Sequence, residues 1–278
     1  MAAATKEMWT ARTVIFLFGA CPVGAAVQAG PLEQGYRQMY NLDFAAAHRI
    51  FTEWEKSHPA DAMGPVSDAA AYLFSEFERL HVLESEFFTE DEAFLFRQRN
   101  LAPDATVKRD FEAALERARA LVSAALARDP DDENAMLAQV LSTGLHSDYL
   151  FLIEKRNLTA FSEAKQARRI AKRLMALHPE CYDAYLAVGI ENYLLSLKPL
   201  PVRWALRLGG GQTDKHTGIM LLRITAEKGL YLGPYARLLL AVAALRDKDV
   251  ATARENLASL AAEFPNNQLY RGELSKLK

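Results

Sequence analysis

The chain has 278 residues, half of them hydrophobic, which is enough apolar matter for one large domain or two small ones and too much for a disordered chain. Lys and Arg total 33 against 35 Asp and Glu, a net charge of −2 that argues against a globally basic nucleic-acid binder and against a polyanionic tail. The two cysteines, Cys21 and Cys181, exclude both a disulfide scaffold and a four-thiolate metal site.

The first thirty residues have the layout of a secretory signal. Lys6 and Arg12 precede an apolar run that begins at Val14 and continues through Val23 to Ala26, and Val27-Gln28-Ala29 puts small or apolar side chains where a cleavage site needs them. The run is shorter than the ~20 residues a bilayer requires, and Pro22 and Gly24 interrupt it. The expectation is a signal peptide over 1–29, one domain over 30–278, and a periplasmic or secreted location. Phe18-Gly19-Ala20-Cys21 offers an alternative, because it looks like a lipoprotein box that would anchor the chain through Cys21, although Phe18 stands where Leu is usual. Cleavage after Ala29 leaves Cys181 as the remaining thiol. It is expected to be buried, since an exposed lone thiol in an oxidising space invites dimerisation.

Beyond residue 30 apolar side chains recur at three and four, so every segment predicts helix and none predicts strand. Pro59, Pro130, Pro179 and Pro265 each end a helical run. Aligned backwards from these prolines, the runs agree. Twelve residues earlier stand Ala47, Ala118, Ala167 and Ala253, eight earlier Phe51, Val122, Ala171 and Leu257, and five earlier Trp54, Ala125, Leu174 and Leu260. A methyl group at the first of these positions lets a neighbouring helix approach, and the larger side chains fill the space beside it, although Ala125 and Ala171 weaken the middle copies.

This pattern resembles the second helix of a tetratricopeptide (TPR) repeat. The best copy runs from Asn41-Leu42-Asp43-Phe44 through Ala47 and Phe51 to Pro59. The next best runs from Lys248-Asp249-Val250 through Ala253 and Leu257 to Pro265. Asp183-Ala184-Tyr185-Leu186-Ala187-Val188-Gly189 is the most faithful first helix. The spacings between prolines all exceed the standard period of about 34 residues, so helices are expected to be elongated and interrupted by insertions. Five units are read, 31–59, 60–130, 131–179, 180–229 and 230–265, with a last helix capping the end near Leu277. The segment 182–267 is also similar in layout to bacterial secreted TPR-like proteins. The resemblance implies an all-α, right-handed α-solenoid of helical hairpins.

Three segments stand out as candidate surfaces. Lys165, Arg168, Arg169, Lys172 and Arg173 fall on one helical stripe, which suits an anionic membrane surface or an acidic partner, or is simply a solvated face. No aromatic residue is interleaved with it, which argues against single-stranded nucleic acid. The insertion after Pro199 and Pro201 carries Arg203, Trp204 and Arg207, a combination common at interfaces, followed by Gly209-Gly210-Gly211, which lacks the Walker and dinucleotide patterns. Thr213 or Asp214 would cap the next helix. Aromatic residues crowd 66–100, among them Tyr72, Phe74 and Phe77.

No metal motif or catalytic elbow is found, and His58 and His178 are accounted for as cations at helix C-termini. Neither a metal nor a cofactor is therefore assigned. The reading is of a non-catalytic binding or scaffold module outside the cytoplasm. Its protein or peptide partner would lie on a concave face lined by Asn134, Leu137, Leu141, Asp183, Leu186, Ile190, Tyr193, Tyr235 and Leu238. The alternative is a small-molecule or lipid carrier with an aromatic pocket in 66–100.

Overall fold

The computed structural model describes residues 30–84, 101–197 and 214–277. Their regular structure is helical throughout: α1 (Pro31–Tyr40), α2 (Phe44–Ser57), α3 (Met63–Arg79), α4 (Ala105–Arg128), α5 (Glu133–Leu152), α6 (Asn157–Leu177), α7 (Tyr185–Ser196), α8 (Lys215–Lys228), α9 (Gly233–Arg246), α10 (Val250–Glu263) and α11 (Gln268–Lys276), with a single 3₁₀ turn at Tyr182–Ala184. Consecutive helices pair as antiparallel hairpins, α1/α2 through α9/α10, each packed on the next, and α11 packs on α10. The five hairpins fall within the five units read from the prolines. Among the described residues no helix is long and apolar enough to cross a membrane.

Local chemistry sets the helix ends. Helices α2, α4, α6 and α10 all stop two residues before a proline, because the residue preceding Pro is sterically pushed out of the α region. Asp and Asn side chains start six of the described helices. Asp43, Asp104, Asp132, Asp214 and Asn267, together with Asp249, each accept from a backbone N–H in the first turn that follows. Asp214, not Thr213, caps α8. Among the described residues, the connections within four of the hairpins place a non-glycine residue at positive φ: Leu42, His81, Lys155 and Lys248.

The alanines twelve residues before the prolines are all interior. Ala47, Ala118 and Ala253 are 0% exposed and Ala167 2%. Beside them Phe51, Val122, Ala171 and Leu257 are buried as well, each large one contributing about 1.5–3 kcal/mol. Two glycine contacts set helix separations. A Cβ on Gly35 would lie 2.3 Å from the Phe51 ring, and one on Gly218 would lie 2.7 Å from the backbone nitrogen of Tyr193 and 3.0 Å from the carbonyl of Gly189. The α7/α8 crossing is thus backbone against backbone.

Two carboxylates lock the irregular joints. Glu76, 1% exposed, accepts from Arg79 at 2.7 and 2.8 Å and from the Asp104 N–H at 2.8 Å, tying the end of α3 to the start of α4. Asp183 accepts from the backbone N–H groups of Leu230, Tyr231 and Leu232, fastening the turn before α7 to the α8–α9 loop.

The array also returns on itself. Arg37 of α1 meets Glu263 of α10 at 2.6 Å, and Glu263 also holds Arg237. The Asn267 side chain donates to the Tyr40 carbonyl at 2.8 Å, the Asn266 N–H donates to the Asn41 side chain at 2.9 Å, and the Tyr40 hydroxyl donates to the Tyr231 carbonyl at 3.0 Å. Rings continue the seam: Tyr36 lies 5.0 Å from Tyr231, Tyr40 5.7 Å from both Phe74 and Phe264, and Phe74 5.3 Å from Tyr235. Such edge and tilted pairs add ~0.5–1.5 kcal/mol each beyond their burial. The first helices of the first two hairpins, α1 and α3, therefore touch both helices of the last hairpin or the residues beside them.

Candidate functional site

That seam decides the fate of the strip expected to line a concave face. Leu137, Leu141, Asp183, Leu186, Tyr193, Tyr235 and Leu238 are all buried, Ile190 is half-buried, and Asn134 alone is exposed. The aliphatic members pack in the core that the first helices share. Tyr235 is covered by Phe74 from another hairpin, and the Asp183 carboxylate is occupied by three backbone donors. Apart from Asn134 and Ile190, the strip lies in the core and offers a partner no continuous surface. The expectation took apolar residues on first helices for surface. Contacts between hairpins distant in sequence turn them inward.

The aromatic second unit is likewise interior where it is described. Phe77 is 0% and Phe74 9% exposed, and Tyr72 leans on His48 with ring centroids 4.2 Å apart. The remainder of 66–100 from residue 85, and Arg203, Trp204 and Arg207, lie outside the described residues, as do Cys21 and the expected signal.

The basic stripe is divided. Arg168 is 6% exposed and meets Glu191 of α7 at 2.5 Å, so its charge is used in the α6/α7 interface. Burial pushes the Glu191 carboxyl up, and the Arg168 guanidinium opposes that shift. Lys165, Arg169, Lys172 and Arg173 are exposed. Desolvation, followed by the nearby Arg168 charge, lowers the Lys172 ammonium pKa.

Arg169 and Arg173 line an open groove whose other members the stripe does not indicate. It runs between the second helices α4 and α6 and is floored by α5. It consists of two adjoining hollows of 360 and 470 Å³ that share Leu126, Gln139 and Gln166. Arg169, Arg173, Ile170, Met136 and Pro130 wall one hollow; Arg119, Val122, Ser123, Ser142 and Thr143 belong to the other. Three guanidinium groups, with amides and hydroxyls beside short apolar patches, can hold carboxylates and extended backbone together. Among the described residues no carboxylate lines either hollow. At the Pro130 end Arg173 reaches Asp131 at 2.5 Å.

Two further polar features lie outside the groove. Asp148 of α5 faces inward toward Tyr235, and burial alone raises its carboxyl pKa to about 7. Cys181 is buried, as expected of a lone thiol, and desolvation pushes it up to about 12, which leaves it a poor nucleophile. Near it Glu133, His178 and Glu180 bring donor atoms within 4.8 Å of one another, a grouping that could hold a metal ion and that their sequence separation concealed.

Comparison with known proteins gives a likeness in structure only. No family model matches the chain, and no curated protein matches it. A solved structure, that of a thermophilic TPR protein of Thermus thermophilus, is 16% identical, with a TM-score of 0.45, covering 89% of this chain and 96% of that one. By their own helix order and pairing, the described residues form an all-α solenoid of TPR-like helical hairpins.

Proposed function

We propose that the protein is a non-catalytic binding module acting outside the cytoplasm, and that it holds an acidic protein segment or peptide in the groove between α4 and α6. The observation that carries this reading is the groove itself: Arg119, Arg169 and Arg173 surround an open, mixed polar and apolar channel while the first-helix strip is closed. Stacked helical hairpins favour such a role, since rigid second helices hold the arginines apart at fixed spacing. The location is supported by the layout of residues 1–29, with anchoring through Cys21 as the alternative form. Mass measurement of the mature N-terminus separates those two forms.

Selection of displayed random peptides on the purified protein tests the binding reading. Acid-rich peptides are expected, with affinity that falls as salt rises. The double substitution Arg169→Glu and Arg173→Glu is expected to weaken them at least about tenfold. Peptides that lack acidic residues and bind the double variant as well as the parent would overturn the reading.

A further inference from the structure

We propose that Glu133, His178 and Glu180 form a binding site for a divalent transition-metal ion of the zinc class at the base of the α5/α6 hairpin. The reasoning starts from one imidazole. His178 is the residue at which α6 ends, and its Nε2 lies 3.1 Å from the backbone carbonyl of Asp131. A carbonyl only accepts, so Nε2 carries the ring proton, and in the neutral ring Nδ1 presents a lone pair. That lone pair faces Oε2 of Glu133 at 3.3 Å. Two acceptors aimed at each other require a cation between them.

A proton is the simplest such cation, and the protein shows what proton-sharing pairs look like. His48 and Asp68 approach to 2.6 Å, His146 and Glu163 to 2.7 Å, and His81 and Glu84 to 3.1 Å. The Glu133–His178 separation, 3.3 Å, is the longest of these four. It is close to the edge of a zinc coordination tetrahedron, about 3.4 Å for metal–ligand bonds near 2.1 Å. Glu180 supplies a second carboxylate, so one donor atom from each of three side chains lies within 4.8 Å of the others.

The surroundings suit the ion. The Asp131 carbonyl fixes the imidazole tautomer and orientation, the usual outer-shell role behind a metal-bound histidine. The site sits where the last carbonyls of α6 concentrate negative potential. One imidazole with two carboxylates favours zinc-class ions over magnesium or calcium, which prefer oxygen alone. Water would complete the coordination. The ion would clamp the exit of α6 to the entry of α5, beside the Pro130 end of the groove.

Isothermal titration of untagged, chelator-stripped full chain with zinc chloride tests this. One zinc per chain is expected, with no matching response to magnesium chloride. His178→Ala and Glu180→Gln should each weaken binding at least about tenfold, with helical circular dichroism unchanged; Glu180 is exposed, so its variant keeps the fold. His48→Ala should leave the titration as it was. Absence of zinc binding, or zinc binding that survives both ligand substitutions, overturns the proposal. Peptide binding at Arg169 and Arg173 is a separate readout and stands or falls by itself.

Discussion

The first-helix face and the second-helix groove are made from similar amphipathic helices, yet one is sealed and the other open. On the first-helix face Tyr40, Phe74 and Tyr235, from three different hairpins, reach across and fill the space between them. Between α4 and α6 the facing side chains are Arg119, Gln166, Arg169 and Arg173, whose charges and amides are costly to bury, and the channel stays unfilled. Aromatic reach closes one gap between hairpins, and charged and amide side chains line the one that stays open. Substitutions on the sealed face should therefore be read in stability, and those in the groove in affinity.

The largest effect is expected at Asp183. Asp183→Ala leaves three backbone N–H groups without their acceptor and should cost about 3 kcal/mol in urea unfolding. A loss below about 1 kcal/mol would show that the joint before α7 is not part of the sealed face. Next comes Asp148. Its carboxyl pKa is raised in the folded chain to about 7, above the unfolded value. The group therefore favours folding most below the unfolded pKa, and that advantage is lost as pH climbs toward 7. Asp148→Asn should raise stability by about 2 kcal/mol at pH 8, less than full burial implies because part of the carboxyl still meets water. The gain should vanish near pH 3.5, and denaturant melts at the two pH values measure it. The groove contrasts with both. The Arg169→Glu, Arg173→Glu pair should change unfolding free energy by less than about 0.5 kcal/mol while weakening acidic peptides at least about tenfold. The smallest effect lies at a turn. Lys248 holds φ at 61°, so Lys248→Gly should gain up to about 0.5 kcal/mol, visible as a small rise in melting temperature.

What the sequence made legible follows the range of the interactions. Prolines, aspartate caps and the recurring alanines act within a turn or two, so hairpin limits and buried positions such as Ala47 and Leu257 could be read directly. The seam depends on pairs such as Arg37 with Glu263 and Tyr40 with Asn267, and no local pattern reports contacts across that much chain. The groove was half visible. Arg169 and Arg173 were singled out, but Arg119 and Gln139 join them only once three helices are stacked. Arg168 belonged to the same stripe by spacing and is nevertheless internal, because Glu191 on the next helix neutralises it. Helical periodicity places a charge on a face and is silent about what that face meets.

Open helical arrays melt from their ends, since a terminal unit has a neighbour on one side only. Here the Arg37–Glu263–Arg237 triad and the Tyr40 contacts give the opening and closing hairpins a common border. Fraying at either extremity must break that border, so amide hydrogens in α1 and α10 should exchange together, at rates set by one shared opening event.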